Sequence, residues 1–245
     1  MKKKILLASL MALLFVFLLT LCVSAETPSH YIEFGARFEG SDEYITVYTE
    51  DAEVNSGNPR INFATYKFYS DIDFTTEVDI STVTGIDFSV AKAYGGKLTY
   101  VNRITNPSSP FTKCTEVKWF TDEKAMDCSV QSSLFNGWSS LKSFEFGSLK
   151  KLGDNAFQGC GFEELVIPAT ITHMYSRTFA QNYSLKSVKF EGSTELTGNA
   201  NAFYQCTALE SVDLGSVPYI GAGTFKECTS LTSIVIPAPG AALSP

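Results

Sequence analysis

The stretches NAFQGC (155–160), NAFYQC (201–206) and GTFKEC (223–228) repeat one arrangement: a small residue, Phe, two variable residues, then Cys. Aligned on that Phe, the chain gives Phe135, Phe157, Phe179, Phe203 and Phe225, at steps of 22, 22, 24 and 22 residues. A catalytic motif is needed once. A residue that recurs at a fixed period in the twenties is needed at every level of a stack, which is the mark of a solenoid.

A second register agrees with the first. LKSFEF (141–146), FEELVI (162–167), LKSVKF (185–190), LESVDL (209–214) and LTSIVI (231–236) are all apolar at positions one, four and six. Positions four and six are two apart and point to one face of a strand. Turn-tolerant residues follow at Gly147, Pro168, Gly215 and Pro237, with Glu191 the exception. Between strand and Phe lies a further apolar position at Leu152, Met174, Leu196 and Ile220, two inserted residues after Leu196 accounting for the 24-residue step. Each unit therefore reads as strand, turn, short extended segment, and a helical turn around the Phe. No unit hides its own apolar face. Stacked in register, about 4.8 Å apart, the units bury Leu on Leu and Phe on Phe.

At SLTSIVIP, AFQGC and YIGAGTFKECTSL the chain resembles the BspA-type, or treponemal, leucine-rich repeats. Their unit runs roughly LxxIxIP, an extended segment ending in Ile-Gly, then AFxxC. The resemblance covers residues 134–237 and implies a β-rich solenoid, a leucine-rich-repeat stack with parallel strands and short helical turns. Members of that family include surface proteins that attach to host matrix proteins, host cells or other microbes, so adhesion or protein interaction is the implied function. Degenerate units occupy 83–133: VTGIDF (83–88) fits the strand, LTYVN (98–102) the middle segment and FTKC (111–114) the plug. VKW (117–119) and SVQSSLFNGW (129–138) make a further unit, and NPSSP (106–110) is an insertion.

Residues 26–82 do not follow the repeat. EYITVYTE (43–50) alternates as a strand does, INFATYKFYSDIDF (61–74) is rich in β-forming aromatics, and NSGNPR (55–60) between them is a loop. A β-rich N-terminal cap over the first rung is the expected role, since terminal repeats need covering. The competing reading is a glycan-binding surface built on Tyr31, Tyr44, Tyr48, Tyr66 and Tyr69.

Residues 1–25 have the three parts of a secretory signal: basic Lys2–Lys4, apolar Ile5–Leu21, and small or compact residues at Val23 and Ala25. The expectation is a secreted or cell-surface product with no membrane span after signal removal. Beyond residue 25 the chain carries 16 basic and 26 acidic side chains, a poor balance for gripping nucleic-acid phosphates. Five cysteines remain (Cys114, Cys128, Cys160, Cys206, Cys228), an odd number at wide spacing and unlike a disulfide-stapled miniprotein. The last three are expected to be buried thiols that plug the stack.

Enzyme chemistry has no residues to stand on. His30 and His173 are the two histidines of the chain, so no Ser-His-Asp set can be assembled with any specificity. Without a Cys-x-x-Cys pair a zinc or redox site is not indicated. GAGTFK begins like a phosphate loop but belongs to the repeat register, and the Asp71/Asp73 pair lacks the other ligands of a calcium loop. Asn182-Tyr183-Ser184 is formally a glycosylation sequon, yet Asn182 falls where other units place Cys and is expected to be buried and bonded to backbone. No cofactor is expected.

The outward strand positions carry the candidate partner-binding residues. The second positions run Lys142, Glu163, Lys186, Glu210, Thr232, alternating in sign along the stack; the fifth run Glu145, Val166, Lys189, Asp213, Val235. The bland reading is a solubilising ladder; the functional one is a face for a protein partner on Lys142, Glu145, Glu163, Lys186, Lys189, Glu210 and Asp213. A third reading makes the chain a purely architectural fragment of a longer surface protein. The last strand, followed by the tail 238–245, lacks a further middle segment and Phe, so Ile234 and Ile236 are expected to be poorly covered and the C-terminal edge to favour self-association.

Overall fold

The computed structural model describes residues 31–50, 60–62, 67–93, 100–102, 111–119, 129–196 and 201–236. The hairpin of β1 (Tyr31–Phe38) and β2 (Tyr44–Glu50) opens the described chain, and β1 lies antiparallel on β4 (Val83–Ala93). A small parallel pair, β3 (Arg60–Asn62) with β5 (Tyr100–Asn102), stands apart. From β4 the chain changes to parallel pairing. β6 (Glu116–Lys118) aligns Val117 with Ile86 of β4, and β8 (Ser143–Glu145) aligns Phe144 with Val117.

From residue 129 the winding is regular, and each rung lays down three segments. The second-face strands β7 (Ser129–Val130), β9 (Lys151–Leu152), β11 (His173–Met174) and β13 (Glu195–Leu196) stack Val130, Leu152, Met174 and Leu196 in register. On the first face, β10 (Glu164–Ile167), β12 (Ser187–Phe190), β14 (Ser211–Asp213) and β15 (Ser233–Val235) stack Leu165, Val188, Val212 and Ile234. The first-face ladder divides into two sheets between β8 and β10. There the chain is one residue short: two steps join Cys160 to Phe162, whereas three join Cys206 to Leu209. Gly161 occupies that shortened link, where a Cβ would collide with the Ser139 carbonyl.

The third segment holds the Phe. It is a tight turn rather than the predicted helical turn, and its backbone still forms a ladder. The Phe135, Phe157, Phe179 and Phe203 amides donate to the carbonyls of Ala156, Thr178, Ala202 and Thr224 at 2.8–2.9 Å. Left-handed residues bracket each Phe. Ser133, Asn155, Arg177, Asn201 and Gly223 lie two before it, and Gly137, Gly159, Gln181, Gln205 and Glu227 two after, all at positive φ. Two such residues only four apart leave no room for a right-handed helix. Among the described residues the helix content is one 3-10 turn, Ile80–Thr82. With all three faces laddered, the backbone groups of these short segments find partners between rungs.

Inside, the Phe rings form a column. Successive centroids from Phe135 to Phe225 are 5.2, 5.1, 5.7 and 5.6 Å apart, with planes within 13° of parallel. The column runs on toward the N-terminal strands through Trp119, Phe88, Phe34 and Phe68, whose rings touch edge to face or tilted at 5.5–5.8 Å. Shape-matched aromatic contacts of this kind add to simple area burial.

The position three after each Phe does more than fill space. Cys160, Cys206 and Cys228 donate their thiols to the carbonyls of Phe135, Phe179 and Phe203, one rung back, at 3.1–3.2 Å. Asn182 takes the same place and donates Nδ2 to Phe157 at 2.9 Å and to Phe179 at 2.8 Å. The repeat therefore asks for a small donor there. The expected burial of Asn182 holds, at 0% exposure, and places its amide out of reach of a glycosylating enzyme in the folded chain.

Candidate interaction surface

Strand alternation puts every other side chain of the first face into solvent. In β10 and β12 the exposed Val166 and Lys189 alternate with the buried Leu165, Ile167, Val188 and Phe190. Register then sorts the outward residues into rows. Val166, Lys189, Asp213 and Val235 face one another across successive strands, as do Glu164, Ser187, Ser211 and Ser233. On the earlier sheet Asp87, Lys118 and Glu145 form the corresponding row.

The candidate partner residues all lie on this side. Lys142, Glu145, Glu163, Lys186, Lys189 and Glu210 are exposed, and Asp213 is half-buried. Lys142 and Glu163 are brought into direct contact, Nζ to Oε1 at 2.9 Å. That hydrogen bond, with the Lys142 charge and then the Lys186 charge, holds the Glu163 carboxyl below its ordinary range. Val166 adds an exposed apolar side chain between the charges.

The family model for the BspA type leucine rich repeat region matches residues 105–232 in six copies, more than half of the chain. The chain belongs to this family. The match begins upstream of the regular units and takes in Phe111–Cys114 and Val117–Trp119. The BspA-type chain is also similar to solved structures. A leucine-rich repeat protein from Bacteroides ovatus is 22% identical, with 62% of this chain and 42% of that one covered at a TM-score of 0.45. One from Eubacterium ventriosum is 16% identical, covering 57% and 46% at 0.39. The Treponema pallidum leucine rich repeat protein is 19% identical, covering 62% and 74% at 0.36. The chain spans less than half the length of the first two. No curated protein sequence matches it.

In this BspA-type chain the outward face also holds a polar knot that the repeat pattern did not reveal. Arg37 of β1 pairs with Glu116 of β6 at 3.3 Å, and Lys118 lies 4.0 Å from Asp87 and 3.8 Å from Glu116. Tyr44 of β2 lies across them, with the Arg37 guanidinium 5.3 Å and the Lys118 ammonium 4.9 Å from its ring centre. Burial, reinforced by the Glu116 charge, pushes its phenol far above the usual range. Gly85 makes room, because a Cβ there would meet the Tyr44 hydroxyl. A glycine at an outward strand position, where the repeat otherwise writes a polar side chain, is the sequence signal for this contact. The knot clamps the hairpin to the first parallel strands.

Three other tyrosines of the proposed glycan surface, Tyr31, Tyr48 and Tyr69, are also engaged. Tyr31 is buried and meets Tyr48 at 5.9 Å, and Tyr69 packs on Phe74 at 5.1 Å and bridges to Tyr48 through backbone. Tyr66, His30 and Cys128 lie outside the described residues. His173 sits half-buried between Lys151 and Glu195, its Nε2 3.4 Å from the Glu195 carboxylate. Asp71 caps a turn, accepting from the Thr75 and Thr76 amides at 2.9 and 2.7 Å. Among the described residues no group of three or more His, Cys, Asp or Glu side chains is placed to hold a metal, and no helix is long and apolar enough to cross a membrane.

Proposed function

We propose that this BspA-type chain is an exported surface protein that holds a protein partner on the solvent side of its parallel strands. Residues 1–25 serve as signal peptide, 26–82 as cap, 83–133 as degenerate repeats, 134–237 as the regular stack and 238–245 as a tail. The partner is a host matrix protein or a component of another cell surface. Lys142, Glu145, Glu163, Lys186, Lys189, Glu210 and Asp213 supply the contacts, and the solenoid acts as a scaffold rather than a catalyst.

The observation that carries this reading is the fixed spacing of charge on a hydrogen-bonded ladder. Side chains on a rigid sheet meet a partner without first losing backbone freedom, and alternating charge sets register and orientation more than raw affinity. Binding through such a face is therefore selective and weakened by salt. Two tyrosines of the rival glycan reading are committed elsewhere, Tyr31 to burial and Tyr44 to the Arg37 and Lys118 cations.

The test is binding of the purified chain to a panel of extracellular matrix proteins, beside a Lys186→Glu/Lys189→Glu variant. The reading requires at least one partner whose affinity falls about tenfold in the variant and declines with salt. Binding indifferent to both would sink it.

A further inference from the structure

Among the described residues the final strand, β15, stands out by exposure. Ile234 is 43% exposed, Val235 56% and Ile236 50%, while Val212 and Leu214, one rung earlier at the places of Ile234 and Ile236, are 1% and 0%. No charged residue occurs between Leu231 and Ile236, so the edge lacks the lysine or proline with which sheet proteins commonly block edge pairing.

Its hydrogen bonds fix what it offers. The Ser233 amide donates to Glu210 at 3.1 Å, and the Val235 carbonyl accepts from Leu214 at 3.0 Å. In a parallel ladder alternate residues bond to alternate sides, so Ser233 and Val235 face β14 and Ile234 turns its N–H and C=O to the open side. A single residue with both groups free is the element two antiparallel strands share as a mutually bonded pair.

We propose that two copies of this chain join tail to tail, β15 antiparallel to its symmetry mate, with Ile234 facing Ile234 across a two-fold axis. The pairing sets Ser233 against Val235 and Thr232 against Ile236, brings no like charges together, and lets each core end cover the other. It is closed rather than filamentous. At the opposite end β1 turns the ladder antiparallel, and β2 is bridged along its outer side by Tyr69, whose amide and carbonyl exchange bonds with Tyr48 at 2.8–2.9 Å. That end therefore presents a strand paired antiparallel to its neighbour, unlike the parallel-paired β15. A second copy fits better than the segment after Ile236, where Pro237 and Pro239 have no N–H to donate.

The paired strands make a directed test. Mutually bonded antiparallel residues have Cα atoms about 5.5 Å apart, within reach of a disulfide. Ile234→Cys should oxidise to a covalent dimer under mild air oxidation, whereas Ser233→Cys, which faces Val235 rather than itself, should not. By sedimentation the unmodified chain should be dimeric at tens of micromolar and Ile234→Lys monomeric with its melting temperature little lowered. Val166→Lys, equally exposed but mid-stack, should stay dimeric. A monomer at every concentration overturns the proposal, as does a dimer untouched by Ile234→Lys. So would a chain that dimerises only after residues 237–245 are removed, for then the tail is the natural cover.

Discussion

The rings of Phe157 and Phe179 lie 5.1 Å apart and within 6° of parallel, one rung upon the next. Each is fully buried and touches the rung on either side, so truncation leaves a cavity that neither neighbour can fill. Phe179→Ala should cost about 3–5 kcal/mol. Phe225, half-buried and stacked on one side by Phe203, should cost clearly less. Denaturant melts of the two variants, compared by midpoint and slope, check the order.

Asn182 tests whether the plug position needs a donor or only a filler. Asn182→Ala leaves the Phe157 carbonyl buried without its partner and should cost about 1–3 kcal/mol. Asn182→Cys restores the thiol found in the adjoining rungs and removes an amide oxygen that is buried with no partner. It should melt at or above the temperature of the unmodified chain.

Alkaline pH should weaken the fold through its buried thiols, Cys114, which donates to the Glu116 carbonyl, among them. Burial pushes Cys114 and Cys206 from 9.0 up to about 12. Between those values the unfolded chain has lost protons that the native one keeps, so stability falls as pH rises through that window and is intact below 9. Cys206→Ser keeps a donor and does not titrate there, so its stability curve should descend less steeply. Half-buried Cys228 should react with a thiol reagent before Cys160 or Cys206.

The period, the Phe column and the inward strand positions were legible because identical residues recur at identical steps. Three features were not. The thiol donors looked like plain apolar plugs, and Asn182, polar at a core position, was the clue to their second role. The left-handed brackets show themselves as glycine at Gly137 and Gly159 but are disguised as Gln181, Gln205 and Glu227 further on, and without them the sequence around each Phe reads as a helical turn. The Tyr44 knot joins residues that are 41 positions apart at Tyr44 and Gly85, and no periodicity reports a contact outside the repeat.

Those brackets predict a sign reversal between two substitutions. Gly159, at φ 68, has room for a side chain but a backbone that resists one, so Gly159→Ala should cost about 1–2 kcal/mol. Arg177, at φ 54, already bears that strain, and Arg177→Gly should be neutral or mildly stabilising. Thermal melts of the pair check it; equal losses would remove the left-handed turn from the account.

Lysine reactivity in the bound state tests the proposed partner face most directly. Lys142, Lys186 and Lys189 stand on it, while Lys151 and Lys226 are exposed elsewhere. Amine labelling of the chain, free and saturated with a captured matrix protein, can be read residue by residue in a mass spectrometer. The account predicts that Lys142, Lys186 and Lys189 become protected and that Lys151 and Lys226 label as before. Protection of Lys151 or Lys226 with the other three unchanged would contradict it.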